Sequence, residues 1–276
     1  MLLPRFLTAL IGVPLILTAI WFGQIPFFCI LFGVMMLSLY EYYTLAEESV
    51  WPVGKPLGLF CGAFLAITLF LVGTKMEWRL PDELRTSLAP AALSLTLLIL
   101  IIGSLLKKNK DDAFLSMAVT AFGITYTVWT LSHLMFIRDL RPYGLRWTLF
   151  LFFVTWTLDI AAYGGGRKLG KRKLAEFISP NKTWEGAIIG SLCALVAAVI
   201  SQKTFLQFMT VREALGMGLI IVLTAQLSDF SESLFKRNVR VKDSSALLPG
   251  HGGILDRFDS FFLAAPIFYY AVIFYF

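Results

Sequence analysis

The chain has 276 residues, 58% of them hydrophobic and 15% charged, with a mean hydropathy of +0.75 and a formal net charge of +6. Soluble domains carry about 25% charged residues, so the composition excludes an ordinary soluble domain and describes a polytopic membrane protein. The basic excess suits anionic lipid headgroups or nucleotide phosphates, and no nucleic-acid-binding motif accompanies it.

A spanning helix needs about 20 mostly apolar residues. In chain order such stretches fall near 6–23, 25–43, 56–74, 86–106, 113–137, 147–166, 183–202, 214–235 and 258–276. They are too long and too uniformly apolar for barrel strands, and backbone in lipid must satisfy its own polar groups, so helices remain. Arg5 precedes the first span as in a signal peptide. The span exceeds a typical signal core and no A-x-A site follows, so it is expected to be retained.

With nine spans, sixteen of the 24 Lys and Arg fall on the side of the N-terminus and the loops near 44–55, 107–112, 167–182 and 236–257. The positive-inside rule puts that side in the cytoplasm. Cys29, Cys61 and Cys193 each lie inside an apolar span, without C-x-x-C spacing, and read as packing residues. No internal repeat of the kind common in transporters is visible.

The first region, 1–145 with about five helices, is poor in ionisable residues within its spans. Its exception is Glu41 in SLYEYYTLA, expected to snorkel to the interface, with a polar cavity as the alternative. His133 reads as a hydrogen-bonded interior histidine. The second region, 146–276 with about four helices, holds the chemistry. Asp159 lies in span six, and Asp229 and Glu232 lie in span eight. A charge at the centre of an inserted helix costs about 2.5–3.5 kcal/mol.

Asp229, Glu232, Ser233 and Lys236 are spaced to share one helical face. Asp256 and Asp259, three apart, are expected to point the same way from the start of span nine. Aspartates on two helices facing a common cleft suit a hard cation. Mg²⁺ takes one or two carboxylates plus substrate phosphates. Pairing with Lys or Arg at helix ends is the alternative, most of all for Asp256 and Asp259 around Arg257.

The turn Pro249-Gly250-His251-Gly252-Gly253 is a candidate phosphate cradle, beside Lys236, Arg237, Lys242 and Arg257. In the loop from Ser179 to Gly186, Thr183 or Asn181 is placed to cap span seven and Glu185 to sit in its first turn, while Lys182 suits an anion. The run Arg167, Lys168, Lys171, Arg172 and Lys173 is expected to be a solvated anchor, with substrate contact as the alternative.

From Ser233 to Asp259 the chain resembles the signature of CDP-diacylglycerol synthases, also called phosphatidate cytidylyltransferases. It reads Ser233-Leu234-Phe235-Lys236-Arg237, Lys242-Asp243, Ser245, Leu248-Pro249-Gly250-His251-Gly252-Gly253 and Ile254-Leu255-Asp256-Arg257-Phe258-Asp259. Every specified position is filled over these 27 residues. Ser179-Pro180-Asn181-Lys182-Thr183-Trp184-Glu185-Gly186 is similar to a second hallmark, and Asp159 with Tyr163 and Arg167 to a weaker third. The resemblance covers roughly 150–270. Ser228 departs from it, standing where many members carry Gly.

The spans predict an all-α protein with about nine transmembrane helices, expected in the cell's inner (plasma) membrane, and the resemblance implies an integral-membrane fold with a polar cleft open to the cytoplasm. It implies a homodimer that makes CDP-diacylglycerol and pyrophosphate from CTP and phosphatidic acid with Mg²⁺, and a second cation such as K⁺. It assigns metal binding to Asp229, Asp256 and Asp259. Catalytic roles go to Lys236, Arg237, Lys242, Asp243, His251 and Arg257. Substrate binding goes to Ser179, Asn181, Lys182, Arg167, Gly252 and Gly253.

The residues agree with such chemistry. Phosphatidic acid is already largely dianionic at neutral pH, because its second pKa is near about 6. It can attack the α-phosphorus of CTP without a strong base, which suits a site rich in cations and carboxylates but poor in His. Three rival functions fit less well. A CTP-dependent lipid kinase would release CDP. An anion transporter would carry polar residues through the depth of the first four spans, which lack them. A CDP-alcohol phosphotransferase would show a D-x₂-D-G motif, which the sequence lacks.

Overall fold

The structure is a computed structural model that describes residues 3–49, 51–73, 82–106, 111–245, 247 and 252–276. Among the described residues it is all-α apart from one small hairpin. The elements are α1 (Leu3–Phe22), α2 (Gln24–Glu48), α3 (Lys55–Gly73), α4 (Asp82–Leu105), α5 (Ala113–Gly123), a π-helical stretch (Ile124–Trp129) and α6 (Thr130–Asp139). Then come α7 (Gly144–Leu169), β1 (Lys173–Ala175), β2 (Ser179–Thr183), α8 (Trp184–Thr204), α9 (Val211–Asn238), α10 (Leu255–Phe258) and α11 (Phe261–Tyr275). Among the described residues, eight helical segments are long and apolar enough to cross a membrane, and α1 adds the apolar stretch Leu10–Phe22.

Helix α8 illustrates why these sequences are membrane helices. Gly186, Gly190, Ala194, Ala197 and Ala198 are buried, whereas Ile188, Leu192, Val196 and Ile200 recur every four residues on the exposed face. Small side chains inside and large apolar ones outside is the arrangement of a helix whose solvent is lipid.

The chain forms two compact units, Met1–Asp139 with Val239–Phe258, and Leu140–Asn238 with Asp259–Phe276. In the first unit α2, α3, α5, α6 and the π-helical stretch pack on one another. The fifth span departs from a plain helix at Ile124–Trp129. Just before that point Tyr43 donates its hydroxyl to the Thr120 carbonyl at 2.8 Å, and Gly123 lies so close to Tyr42 and Tyr43 that a Cβ would clash with both rings. Arg138 donates to the carbonyls of Ile20 and Trp21 at 2.6 and 3.1 Å, closing the carboxyl end of α1 with a cation. His133 is buried, with Nδ1 at 2.9 Å from the Trp129 carbonyl, the interior role expected of it.

The second unit is organised by α7 against α8. Added Cβ atoms on Gly186 and Gly190 would come within 2.7 Å of the Ala162 carbonyl and 2.8 Å of the Leu158 carbonyl. These glycines let the two backbones touch. Helix α9 packs on α8, α7 and α11, and the rings of Phe150, Phe208 and Phe268 gather around Trp147.

Two elements differ from the sequence expectation. The loop at 167–182 contains an antiparallel hairpin pairing Lys173 with Thr183 and Ala175 with Ser179. Glu185 fixes its base by accepting from the Lys171 and Arg172 amides at 3.0 and 3.2 Å. Thr183 caps α8 as expected, accepting from Gly186 N at 3.2 Å. The ninth span is broken: α10 ends at Phe258 and α11 begins at Phe261. Asp256 and Asp259 therefore do not sit on one continuous helix, and no shared helical face orients them together.

Candidate functional site

In the second unit four carboxylates gather from three elements. Asp159 comes from α7, Asp229 and Glu232 from α9, and Asp259 from the turn before α11. Asp259 lies close enough to the other three to feel their charges. Lys182, at the end of the hairpin, pairs with Asp229 at 2.5 Å and lies 4.2 Å above the Phe230 ring. Lys236, one turn beyond Glu232 on α9, pairs with it at 2.7 Å. Glu232 is fully buried and the Lys236 side chain is 12% exposed, so this is an interior pair. The cluster thus brings four acidic groups together with two cations.

The turn that carries Asp259 is held by Ser228. Its hydroxyl donates to the Asp259 carbonyl and accepts from Leu263 N at 3.0 Å. A side chain from α9 thereby satisfies one of the amides orphaned at the start of α11. The serine that departs from the family pattern has a positional task. Ser260 completes the turn: its amide donates to Asp259 Oδ1 at 2.7 Å and its hydroxyl lies 3.3 Å from Asp159.

Among the other predicted residues of this unit, Arg237 donates Nε to the Ile178 carbonyl at 3.1 Å, tying α9 to the hairpin. Ser179 is half-buried, Asn181 is exposed and Arg167 lies at the end of α7. Lys168, Lys171, Arg172 and Lys173 are exposed, as an anchor run requires.

In the first unit the charged block is built around two carboxylates. Asp256 is buried, and its Oδ2 accepts from the amides of Ser244 and Gly253, both at 2.9 Å, and from the Ser244 hydroxyl at 3.0 Å. Glu41, from α2, is 3% exposed. It accepts from the hydroxyls of Ser244 and Ser245 at 3.0 and 2.6 Å, and from the amides of Ile254 and Leu255 at 3.1 and 2.8 Å. The snorkelling expectation for Glu41 is thereby corrected. Turning outward would leave two amides at the start of α10 without partners in a buried place, which costs more than turning inward.

The same geometry bears on the described end of the candidate phosphate cradle. The amides of Gly253, Ile254 and Leu255 are already engaged by Asp256 and Glu41, so they serve protein carboxylates. Gly252 has φ +81, and a Cβ there would lie 2.6 Å from Asp256 Oδ2, so a glycine is required by backbone conformation and by the close approach. Pro249, Gly250 and the candidate catalytic residue His251 lie outside the described residues. Lys242, Asp243 and Arg257 are exposed.

As a metal site, the second unit offers hard oxygen donors at Asp229 and Asp259. Among the described residues no three of His, Cys, Asp and Glu are close enough to ligate one ion unaided. The donors fit an ion that takes one or two carboxylates and completes its shell with water or substrate phosphate, which is the habit of Mg²⁺.

Compared with known proteins, the chain matches the sequence model described as "Cytidylyltransferase family" over residues 3–275. A protein named phosphatidate cytidylyltransferase from Staphylococcus epidermidis is 34% identical over 267 residues, which cover 95% of this chain and 96% of that protein. One of the same name from Staphylococcus haemolyticus is 34% identical over 268 residues, with the same coverage. Another of that name, from Staphylococcus aureus strain COL, is 44% identical over 169 residues, covering 59% of this chain; the match spans 62% of that protein's length.

Proposed function

We propose that this chain, which belongs to the cytidylyltransferase family, transfers the cytidylyl group of CTP to phosphatidic acid, giving CDP-diacylglycerol and pyrophosphate. The observation that carries this reading is the cluster of Asp159, Asp229, Glu232 and Asp259 with Lys182 and Lys236, set in a protein of membrane helices. The names of these relatives point the same way.

In this reaction an oxygen of the lipid phosphate forms a bond to the α-phosphorus of CTP, and the bond from that phosphorus to the bridging oxygen of the β-phosphate breaks. The departing pyrophosphate carries the electron pair away. The lipid phosphate is already largely dianionic at neutral pH, so the protein's task is alignment and neutralisation of charge. Lys182 and Lys236 are each already matched to a carboxylate, so they are held in place before substrate arrives. Lys242 and Arg257 are exposed and are proposed to bind phosphate oxygens.

Asp229 with Asp259, and separately Asp256, are proposed to bind Mg²⁺, which when bound would neutralise the triphosphate and stabilise the leaving pyrophosphate. A monovalent cation such as K⁺ is the proposed second ion. The acyl chains stay in the bilayer while the headgroup reaches the polar residues. The positive-inside distribution supports an inner-membrane protein with its N-terminus and charged loops in the cytoplasm, where CTP is made. The working form is proposed to be a homodimer. The test is pyrophosphate release from CTP by the purified protein in detergent, with and without phosphatidic acid. Release should require the lipid and Mg²⁺; release unaffected by either would reject the reading.

A further inference from the structure

We propose that Glu41, in a helix far from the charged block in sequence, is a positioning residue for that block: it ties Ser244 and Ser245 to Ile254 and Leu255 and so sets the orientation of Asp256. The inference rests on the cytidylyl-transfer reading for its functional consequence, while the clamp itself rests on geometry alone.

The clamp is a network of seven donor–acceptor contacts within the first unit, two of which share the single proton of the Ser244 hydroxyl. Glu41 uses both carboxylate oxygens. Oε1 takes the Ser245 hydroxyl and Ile254 N, and Oε2 takes the Ser244 hydroxyl and Leu255 N. These four donors come from two stretches, 244–245 and 254–255, so one carboxylate ties the two together. Ser244 then joins the two acids: its hydroxyl lies 3.0 Å from Glu41 Oε2 and 3.0 Å from Asp256 Oδ2. Its amide and that of Gly253 complete the grip on Asp256.

A carboxylate buried in an apolar helix is costly unless its oxygens are satisfied; here Oε1 has two donors, and Oε2 has Leu255 N and the Ser244 hydroxyl it shares with Asp256. The fit leaves no slack. A Cβ on Gly253 would collide with the Ser244 hydroxyl and with Glu41 Oε2, so this position must be glycine for the backbone to come this near. The Gly-Gly pair therefore admits Glu41 and Asp256 to the backbone, which gives the glycines a purpose separate from any phosphate.

Gln at position 41 keeps the shape but has one acceptor oxygen, so at least one of the two amides at the start of α10 loses its partner. A displacement of Asp256 by about an ångström is enough to cost on the order of a hundredfold in turnover.

The test uses the full-length protein in detergent, comparing Glu41→Gln, Glu41→Ala and Ser245→Ala with wild type. Trypsin cleavage after Arg240 and Lys242, mapped by mass spectrometry, reads the clamp without reference to catalysis. It should accelerate about tenfold in both Glu41 variants and severalfold in Ser245→Ala, which removes one bond of the four and keeps the test alive should Glu41→Ala fail to fold. The Mg²⁺ concentration for half-maximal pyrophosphate release should rise about tenfold in Glu41→Gln. A merely structural lesion would lower the active fraction and leave that midpoint where it was. Unchanged cleavage in both Glu41→Gln and Ser245→Ala overturns the clamp. Faster cleavage with an unmoved Mg²⁺ midpoint overturns the positioning role. A wild type without pyrophosphate release overturns the reaction assignment and the positioning role together, and the trypsin arm still decides the clamp.

Discussion

Lys236 is asked to do two things, and they can be separated. It pairs at 2.7 Å with a fully buried Glu232, and it belongs to the cations proposed to act on phosphate. Removing one partner of a buried pair strands the other charge and costs about 3–5 kcal/mol, whereas replacing both with neutral groups is often close to neutral. Each kcal/mol moves the melting temperature by about 2–4 °C in a domain of 150–250 residues. Lys236→Met should therefore melt roughly 10 °C below wild type, and Glu232→Gln/Lys236→Met should return to within a few degrees of it. Activity should not return. Removing a charge-assisted hydrogen bond from the transition state costs about a hundredfold or more in kcat/KM, and the double variant still lacks that bond. Thermal melting in detergent and steady-state kinetics on the three proteins decide the matter. If the double variant recovers wild-type kcat/KM, Lys236 is only a counterion. If Lys236→Met melts like wild type, Glu232 does not depend on Lys236 for its burial.

Other outcomes are expected alongside this one. Asp229→Asn and Asp259→Asn should each lose most turnover while retaining the wild-type melting profile, and excess EDTA should silence the wild type; full activity in EDTA sinks the metal proposal. Cysteines placed at Lys171 and Arg240 should react with an impermeant thiol reagent only after the inner face is opened, and labelling of intact cells from outside reverses the proposed topology. Lys182→Ala and Arg257→Ala should each cost about a hundredfold in kcat/KM. Lys171→Ala should cost less than about tenfold, because exposed and mutually redundant charges are screened. A Lys171→Ala protein as damaged as Arg257→Ala would bring the 167–173 run into the site.

The helical spans are legible in the sequence because lipid leaves few alternatives: a long apolar run must be a helix to satisfy its own backbone. The Thr183 cap and the first-turn position of Glu185 are legible for a similar reason, since both follow from amides orphaned within a few residues. What stays hidden depends on partners distant in sequence. Glu41 finds its four donors 203 to 214 residues away, and a lone acid near a helix end carries no mark of them. The break in the ninth span is stabilised by Ser228, 31 and 35 residues upstream of the groups it binds. Periodicity gives a single apolar stretch there because both pieces are apolar. Gly252 and Gly253 stand out in the sequence as points of close backbone approach, which they are. The residue pattern does not reveal that the approaching groups are the protein's own carboxylates.

The central claim is that the cytidylyl group itself moves to the lipid. Its most direct measurement is the fate of label when the purified protein is given phosphatidic acid with CTP labelled at either the α- or the γ-phosphorus. The α-label should appear in the lipid product and the γ-label in pyrophosphate. Transfer of the γ-label to lipid with release of CDP would contradict the account and identify a kinase in its place.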